Sequence, residues 1–265
     1  MIGIDGHTRI MGVIGDPVVQ VRTPQSINPL FAAQGANIVC VPIHVRGDRL
    51  AKAVAGLKAQ ENVIGFGVTL PHKQQIMALC DSIDPAAAEI GAVNVVRREA
   101  DGSFCGYQFD GAGFLSGLRA KGHDPGGRAC LLLGAGGAAR AIARTLLDAG
   151  AREVRIANRT LDKAVALADA LGDARVSAGP ARPSPGTLVV NATSLGMAES
   201  DPLPLDPDLL DATMTVAEVV AQPEITRLLK AAETRGARIH SGLHMIHHQV
   251  ELIAKHMLEL HGARG

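Results

Sequence analysis

The chain has 265 residues, 26 Lys and Arg against 26 Asp and Glu, and a hydrophobic fraction of 47%. Zero formal charge leaves no basic footprint for a polyanion, and no Trp with one Tyr and five Phe leaves few platforms for stacked bases, so nucleic acid is not the expected partner. A chain this long buries roughly 75% of its unfolded surface, enough for one large domain or two smaller ones.

In chain order, Arg9 to Ile14 is a short apolar run stopped by Gly15-Asp16-Pro17, Asn37 to Ile43 is β-branched, and Val63 to Leu70 is a third run closed by Pro71. Between them, Ser26 to Gln34 and Arg46 to Gln60 show the spacing of helices. Alternation of this kind predicts an α/β layer with mostly parallel strands. After Val68-Thr69-Leu70-Pro71-His72, Lys73 is expected to begin a helix; Gly91-Ala92-Val93-Asn94 is a turn presenting an amide, and Gly106 to Asp110 ends in an aspartate. A second register follows: strand Ala129 to Leu133, helix Ala138 to Ala149, strand Glu153 to Ala157, helix Leu161 to Leu171, and strand Thr187 to Val190 opening onto Asn191. Ser177 to Gly186, rich in Gly and Pro, reads as a surface loop, and Gly242 to Leu260 as one long helix able to return to the first domain. The four cysteines stand singly, as reduced buried residues of a cytoplasmic protein would. Met1 to Thr8 lacks the pattern of a signal peptide, and no apolar run reaches the roughly 18 residues of a membrane span.

Gly134-Ala135-Gly136-Gly137-Ala138-Ala139 follows a buried strand and opens a helix, which turns G-x-G-x-x-A into a dinucleotide fingerprint. Gly134 permits the tight turn, Gly136 lets the backbone approach a pyrophosphate, and Ala139 allows close helix–strand packing. The next strand ends in Asn158-Arg159-Thr160, with Lys163 one turn later and no acid at its tip. An acid there would hold the ribose 2′-OH of NAD, whereas Arg159 suits a 2′-phosphate, so NADP is favoured and NAD left open.

Taken together, Gly15-Asp16-Pro17, Thr23-Pro24, Val68 to Lys73, Gly91 to Asn94, Asp110-Gly111, Gly134 to Arg140, Asn158 to Thr160, Asn191 to Met197 and Gly242-x-x-Met245-x-x-x-Gln249 resemble the shikimate dehydrogenase family, in order over nearly the whole chain. The resemblance implies a substrate domain of residues 1–111 plus 242–265 and a Rossmann-like NAD(P) domain of residues 112–241. It further implies hydride transfer between nicotinamide and a ring hydroxyl of shikimate, quinate or a related cyclic polyol acid. Lys73 matches the family's catalytic lysine and Asp110 its partner; a lysine beside a carboxylate can move the hydroxyl proton as hydride leaves. Thr69, Asn94 and Gln249 match polyol contacts, while Asn191, Ala192, Thr193, Ser194, Val219, Gly242 and Met245 match cofactor positions. The implied setting is aromatic precursor biosynthesis or quinate catabolism, by a monomer or homodimer.

The chain also departs from the family. The positions of the two hydroxyls of its Ser-x-Ser-Pro motif, which grip the substrate carboxylate, are Val21 and Thr23 here, so one of the two donors is lost. Gly67 stands where Asn precedes Val-Thr-x-Pro, Gln108-Phe109 where Asn-Thr precedes the aspartate, and Ala221 where Tyr stands two residues before Pro223. A site that hydrogen-bonds its substrate loses discrimination when donors vanish. A divergent paralogue acting on a bulkier or less polar substrate is therefore one alternative, and a non-catalytic nucleotide sensor another. In the tail, His244 and His248 have the i, i+4 spacing of a zinc pair but no obvious third ligand, so the tail histidines read as solvated or cleft-edge, with His244 near the nicotinamide.

Overall fold

In a computed structural model of the chain, residues 3–262 are described; Met1, Ile2 and residues 263–265 lie outside them. The chain divides into two compact units, residues 1–109 with 249–265, and residues 110–248.

The first unit contains β1 (Arg9–Gly15), α1 (Thr23–Ala33), β2 (Ile38–His44), α2 (Leu50–Lys58), β3 (Val63–Val68), β4 (Ser82–Ile83), α3 (Pro85–Ile90), β5 (Val95–Arg98) and β6 (Phe104–Tyr107). They form a six-stranded sheet of order β2-β1-β3-β5-β6-β4. β1 runs parallel to β2 and β3, β4 runs parallel to β6, and β5 is antiparallel to both its neighbours. The register β1–β2–β3 places Gly15, His44 and Val68 at the same carboxyl edge. Every residue of β3 is buried, as expected of an apolar strand covered on both faces. Phe66 meets Phe104 edge-to-face at 5.5 Å, in a core shared with Ile14, Leu50, Val54, Ile76 and Val96. Gly65 has φ +146°, and a Cβ there would lie 2.2 Å from the Val96 carbonyl oxygen, so the pairing with β5 requires glycine. Asn28 of α1 locks onto β2 by donating to the Cys40 carbonyl and accepting from its N–H.

The second unit contains α4 (Asp110–Ala120), β7 (Ala129–Leu133), α5 (Gly137–Asp148), β8 (Glu153–Ala157), α6 (Leu161–Leu171), β9 (Val176–Ala178), β10 (Leu188–Asn191), β11 (Thr215–Glu218), α7 (Arg227–Thr234), β12 (Arg238–His240) and the start of α8 (Gly242–His261). Its sheet has the order β12-β11-β10-β7-β8-β9 and is parallel throughout. Renumbered along the unit this is 3-2-1-4-5-6, the doubly wound dinucleotide-binding order, whose direction reverses between β7 and β10. Helix α5 packs on it through Ala139, Ile142, Ala143, Leu146 and Leu147. The unit boundary falls inside α8: Met245 joins the core of the second unit, while Val250, Ile253, Ala254 and Met257 are buried in the first.

Three expectations are corrected. Lys73 opens no α-helix; residues 71–74 form a turn ahead of a 3-10 helix, Gln75–Leu79, because the Lys73 carbonyl accepts from the Val93 N–H. The stretch Ser177 to Gly186 begins inside β9 rather than in a loop. Arg46 to Gln60 is a 3-10 turn, Gly47–Arg49, followed by a shorter α2. Three of the four free cysteines, Cys40, Cys105 and Cys130, are buried. Among the described residues, no helix is long and apolar enough to cross a membrane.

Candidate active site

The turn after β7 leads directly into α5. Gly134 has φ +109°, and a Cβ on it would stand 3.0 Å from the Ala192 carbonyl oxygen, so only glycine makes the turn without strain. Gly136, at φ −89°, caps α5 without a side chain, and a Cβ there would meet nothing within 4 Å. The space beside Gly136 is thus open just ahead of α5, and the first-turn amides of a helix, with the positive end of its dipole, attract an anion. Ala135, Gly137 and Ala138 are half-buried around this opening and Ala139 is fully buried under it.

At the tip of β8, Asn158 donates to the Thr160 carbonyl at 2.8 Å, shaping the turn from which Arg159 projects. Arg159, Thr160 and Lys163 are all exposed. This edge therefore offers two cations and a hydroxyl, and no carboxylate among residues 158–161.

Beyond the switch point the ends of β7, β10 and β11 align, with Leu133 beside Asn191 and Asn191 beside Glu218. The Asn191 amide organises the loop that follows. Its Oδ1 accepts from the Thr193 N–H and hydroxyl at 3.1 and 2.7 Å, its Nδ2 donates to the Leu195 carbonyl at 3.0 Å, and Thr193 Oγ1 in turn accepts from the Leu195 N–H at 3.0 Å. Ser194 is exposed at the tip. Val219 is half-buried next in chain, and a Cβ on Gly242 would stand 2.4 Å from the Val220 carbonyl, so α8 starts hard against that segment.

In the first unit, three segments converge near the carboxyl end of β3. The Thr69 N–H donates to Ile14 and the Asp16 N–H to Leu70, tying β1 to the turn that carries Lys73. The Val93 N–H donates to the Lys73 carbonyl at 2.8 Å, which sets Asn94 beside that turn. Asn94 Oδ1 then accepts from the Phe109 N–H at 2.8 Å. The buried ring of His72 bonds the Val45 carbonyl through Nε2 at 2.7 Å, which holds the turn from below. Thr69 and Lys73 are half-buried and Asn94 is buried. Val21 and Thr23 lie half-buried where the chain enters α1, and Gln249 half-buried in α8. Asp110, buried at 2% exposure, is the first residue of α4 in the second unit; Gly111 beside it allows α4 to approach α5, since a Cβ there would lie 2.6 Å from the Ala141 carbonyl.

Three tail histidines differ from expectation: His256 and His261 are half-buried and bonded to the Arg97 guanidinium and the Arg98 carbonyl rather than solvated. His240, at the end of β12, is buried rather than solvated, and neither ring nitrogen has a partner. Its ring lies tilted against that of His244 at 4.8 Å and edge-to-face with that of His123 at 5.7 Å between centroids. Burial pushes its pKa down to about 3. Among the described residues, no group of His, Cys, Asp and Glu is arranged to hold a metal ion. Sequence reasoning missed Glu218, which is fully buried at the end of β11 and has its pKa pushed up to about 7 by burial; a single acid inside the apolar run Met214 to Val220 was its signal.

Comparison with known proteins agrees with this architecture. Residues 13–96 match the family described as shikimate dehydrogenase substrate binding domain, and residues 119–182 match shikimate / quinate 5-dehydrogenase. The chain is 44% identical to a shikimate dehydrogenase (NADP(+)) of Rubrobacter xylanophilus, over 94% of this chain and 90% of that protein. The crystal structure of shikimate dehydrogenase from Aquifex aeolicus superposes with TM-score 0.88 at 33% identity, over 99% of this chain and 96% of the other. That of 5-ketofructose reductase from a Gluconobacter strain superposes with TM-score 0.85 at 32% identity, over 98% and 94%. The chain belongs to the shikimate dehydrogenase family of NAD(P)-dependent oxidoreductases acting on CH–OH groups.

Proposed function

We propose that this chain interconverts a ring hydroxyl and ketone of shikimate, quinate or a related cyclic polyol acid, with its first unit holding the substrate and its second the dinucleotide. The observation that carries the reading is the convergence of the Lys73 turn, Asn94 and the segment ending at Phe109 at one edge of the first sheet. A dinucleotide suits the second unit, because the turn is open at Gly136 and is followed at once by the start of α5. Gly134 to Ala138 would hold the pyrophosphate; Asn158, Arg159, Thr160 and Lys163 the adenosine end; and Asn191 to Ser194, Val219, Gly242 and Met245 the nicotinamide half. Arg159 favours NADP through the 2′-phosphate. When bound, the nicotinamide supplies or takes the hydride at the substrate carbon.

The residues of the chain manage the proton and the fit. In ketone reduction the Lys73 side chain, protonated, donates to the reacting oxygen and gives up its proton there; in the reverse direction its neutral amine takes the hydroxyl proton, with Asp110 as its acid–base partner. Thr69, Asn94 and Gln249 orient ring hydroxyls, and Thr23 supplies one hydroxyl toward the substrate carboxylate. The buried, unpaired thiols suit a cytoplasmic enzyme. Initial rates with shikimate and with quinate, against NADP and NAD, test the reading; wild-type turnover that Lys73→Ala abolishes supports it, and none with any pair counts against it.

A second reading is favoured by Val21, Gly67, Phe109 and Ala221, which leave the substrate side less polar than the family pattern. It assigns a less acidic polyhydroxylated ketone or alcohol as substrate, and the 5-ketofructose reductase relative shows that this fold also serves a protein so named. Turnover of such a compound well above that of shikimate distinguishes it.

A further inference from the structure

Glu218 lies outside the expected site, yet its carboxylate is fully buried at the end of β11. Its two oxygens are met from two different elements. Asn191 Nδ2, at the end of β10, donates to Oε2 at 2.9 Å; Thr226 Oγ1, the cap of α7, donates to Oε1 at 2.8 Å. Thr226 at the same time accepts from the Leu229 N–H at 3.2 Å, which fixes its hydroxyl. The Val220 amide is a third donor. Around the carboxylate, all the hydrogen-bond partners are therefore donors, the arrangement an ionised acid requires. From Asn191 the constraint runs on to Thr193 and Leu195, and Gly196, which closes the loop at φ +104°, would bring a Cβ to 4.0 Å from Glu218 Oε1.

We propose that Glu218 is a positioning residue for dinucleotide binding: through Asn191 it holds the loop of residues 191–196 in its binding shape, and it does so as the carboxylate. The inference rests on that loop facing the dinucleotide. Asn191 from β10, Thr226 ahead of α7, the Val220 amide and Gly196 face the group, and none of them titrates; among the described residues, no charged side chain contributes to its shift. Burial raises its pKa to about 7, so acidification through neutrality neutralises it. A neutral acid keeps only ordinary hydrogen bonds where the anion made charge-assisted ones, a difference of roughly 1 kcal/mol, or about fivefold in an equilibrium.

The test is NADPH binding, followed by nucleotide fluorescence on either side of pH 7, for wild type and Glu218→Gln. Glutamine mimics the protonated acid, and the ratio of the two dissociation constants cancels the other titrating groups. The ratio is expected to be about five above pH 7 and to fall to about one below it. In a second variant, Thr226→Val removes one donor and so should move the midpoint of the wild-type pH profile upward, while Thr226→Ser restores it. A ratio fixed near one at all pH values, or, where Glu218→Gln does not fold, an unmoved midpoint in Thr226→Val, overturns this inference alone. Absence of NADPH binding by the wild type overturns the dinucleotide reading and this inference with it.

Discussion

Gly134 and Ala192 face each other across the switch point of the second sheet, so closely that a Cβ on Gly134 would stand 3.0 Å from the Ala192 carbonyl oxygen. Two neighbouring glycines thus have separable roles. Gly134→Ala combines that contact with φ +109° and should cost about 1–3 kcal/mol of stability. Gly136→Ala, at φ −89° with nothing within 4 Å, should leave the melting temperature unchanged or slightly raised. It should nevertheless weaken NADPH binding roughly tenfold or more by displacing the pyrophosphate from the helix start. Thermal melts and nucleotide titrations on the two variants check this; equal binding by Gly136→Ala and wild type would refute it.

Asp110 is buried and opens α4. Asp110→Asn should keep its place and remove the charge, lowering turnover by on the order of 10²–10⁴ while dinucleotide affinity stays put. Circular dichroism and NADPH titration verify that the loss is chemical; a turnover within twofold of wild type would remove Asp110 from the mechanism.

Arg159 is exposed at the tip of β8 with no acid beside it. Arg159→Ala should raise the KM for NADP by roughly 10- to 100-fold, the worth of a hydrogen bond to a charged group, and leave the KM for NAD almost unchanged. Parallel changes for both nucleotides would assign Arg159 to adenine packing instead.

On the substrate side, a Cβ at Gly67 would find only ordinary contacts, with Val13 methyls at 3.6 Å and the Asn94 carbonyl at 3.9 Å. Gly67→Asn therefore meets no clash at its Cβ, and together with Val21→Ser, in protein whose circular dichroism matches the wild type, should raise kcat/KM for shikimate about tenfold or more by restoring hydrogen-bond partners. An unchanged kcat/KM would show that these positions do not set the substrate.

His240 makes stability fall in acid. The unfolded chain binds a proton near pH 6.5, but the folded ring not until about 3, because burial disfavours its charged form. Between those values the unfolded state holds more protons, so stability decreases as pH drops through the window. Glu218 acts in the opposite sense, its contribution being full below 4.5 and lost as pH rises through about 7. His240→Leu should flatten the acid limb and, by removing two unpartnered nitrogens, add on the order of 1–3 kcal/mol at neutral pH. Chemical denaturation at several pH values reads both effects, and an acid limb as steep as that of the wild type would contradict them.

Much of the architecture was legible because the parallel strands are short apolar runs ended by Gly, Pro or Asn, as at Leu133-Gly134 and Val68 to Pro71. Less legible was what depends on partners distant in sequence. The antiparallel pair β5–β6 and the two-residue β4 carry no strong period of their own, and the 71–74 turn is decided by Val93, twenty residues beyond Lys73 in sequence. Glu218 looked like an isolated acid, because its partners, Asn191 and Thr226, are brought to it by strand order and a helix cap. The buried state of His240 was hidden for the same reason, its surroundings coming from α4 and α8.

The most direct measurement is the initial rate of nicotinamide absorbance change with shikimate and with quinate, each against NADP and NAD, in wild type and Lys73→Ala. Turnover is expected with at least one pair, with preference for NADP and a loss of roughly 10²–10⁴ in the variant. Undiminished turnover in Lys73→Ala, or none in the wild type despite clear NADPH binding, would contradict the assignment of a cyclic polyol acid dehydrogenase acting through Lys73.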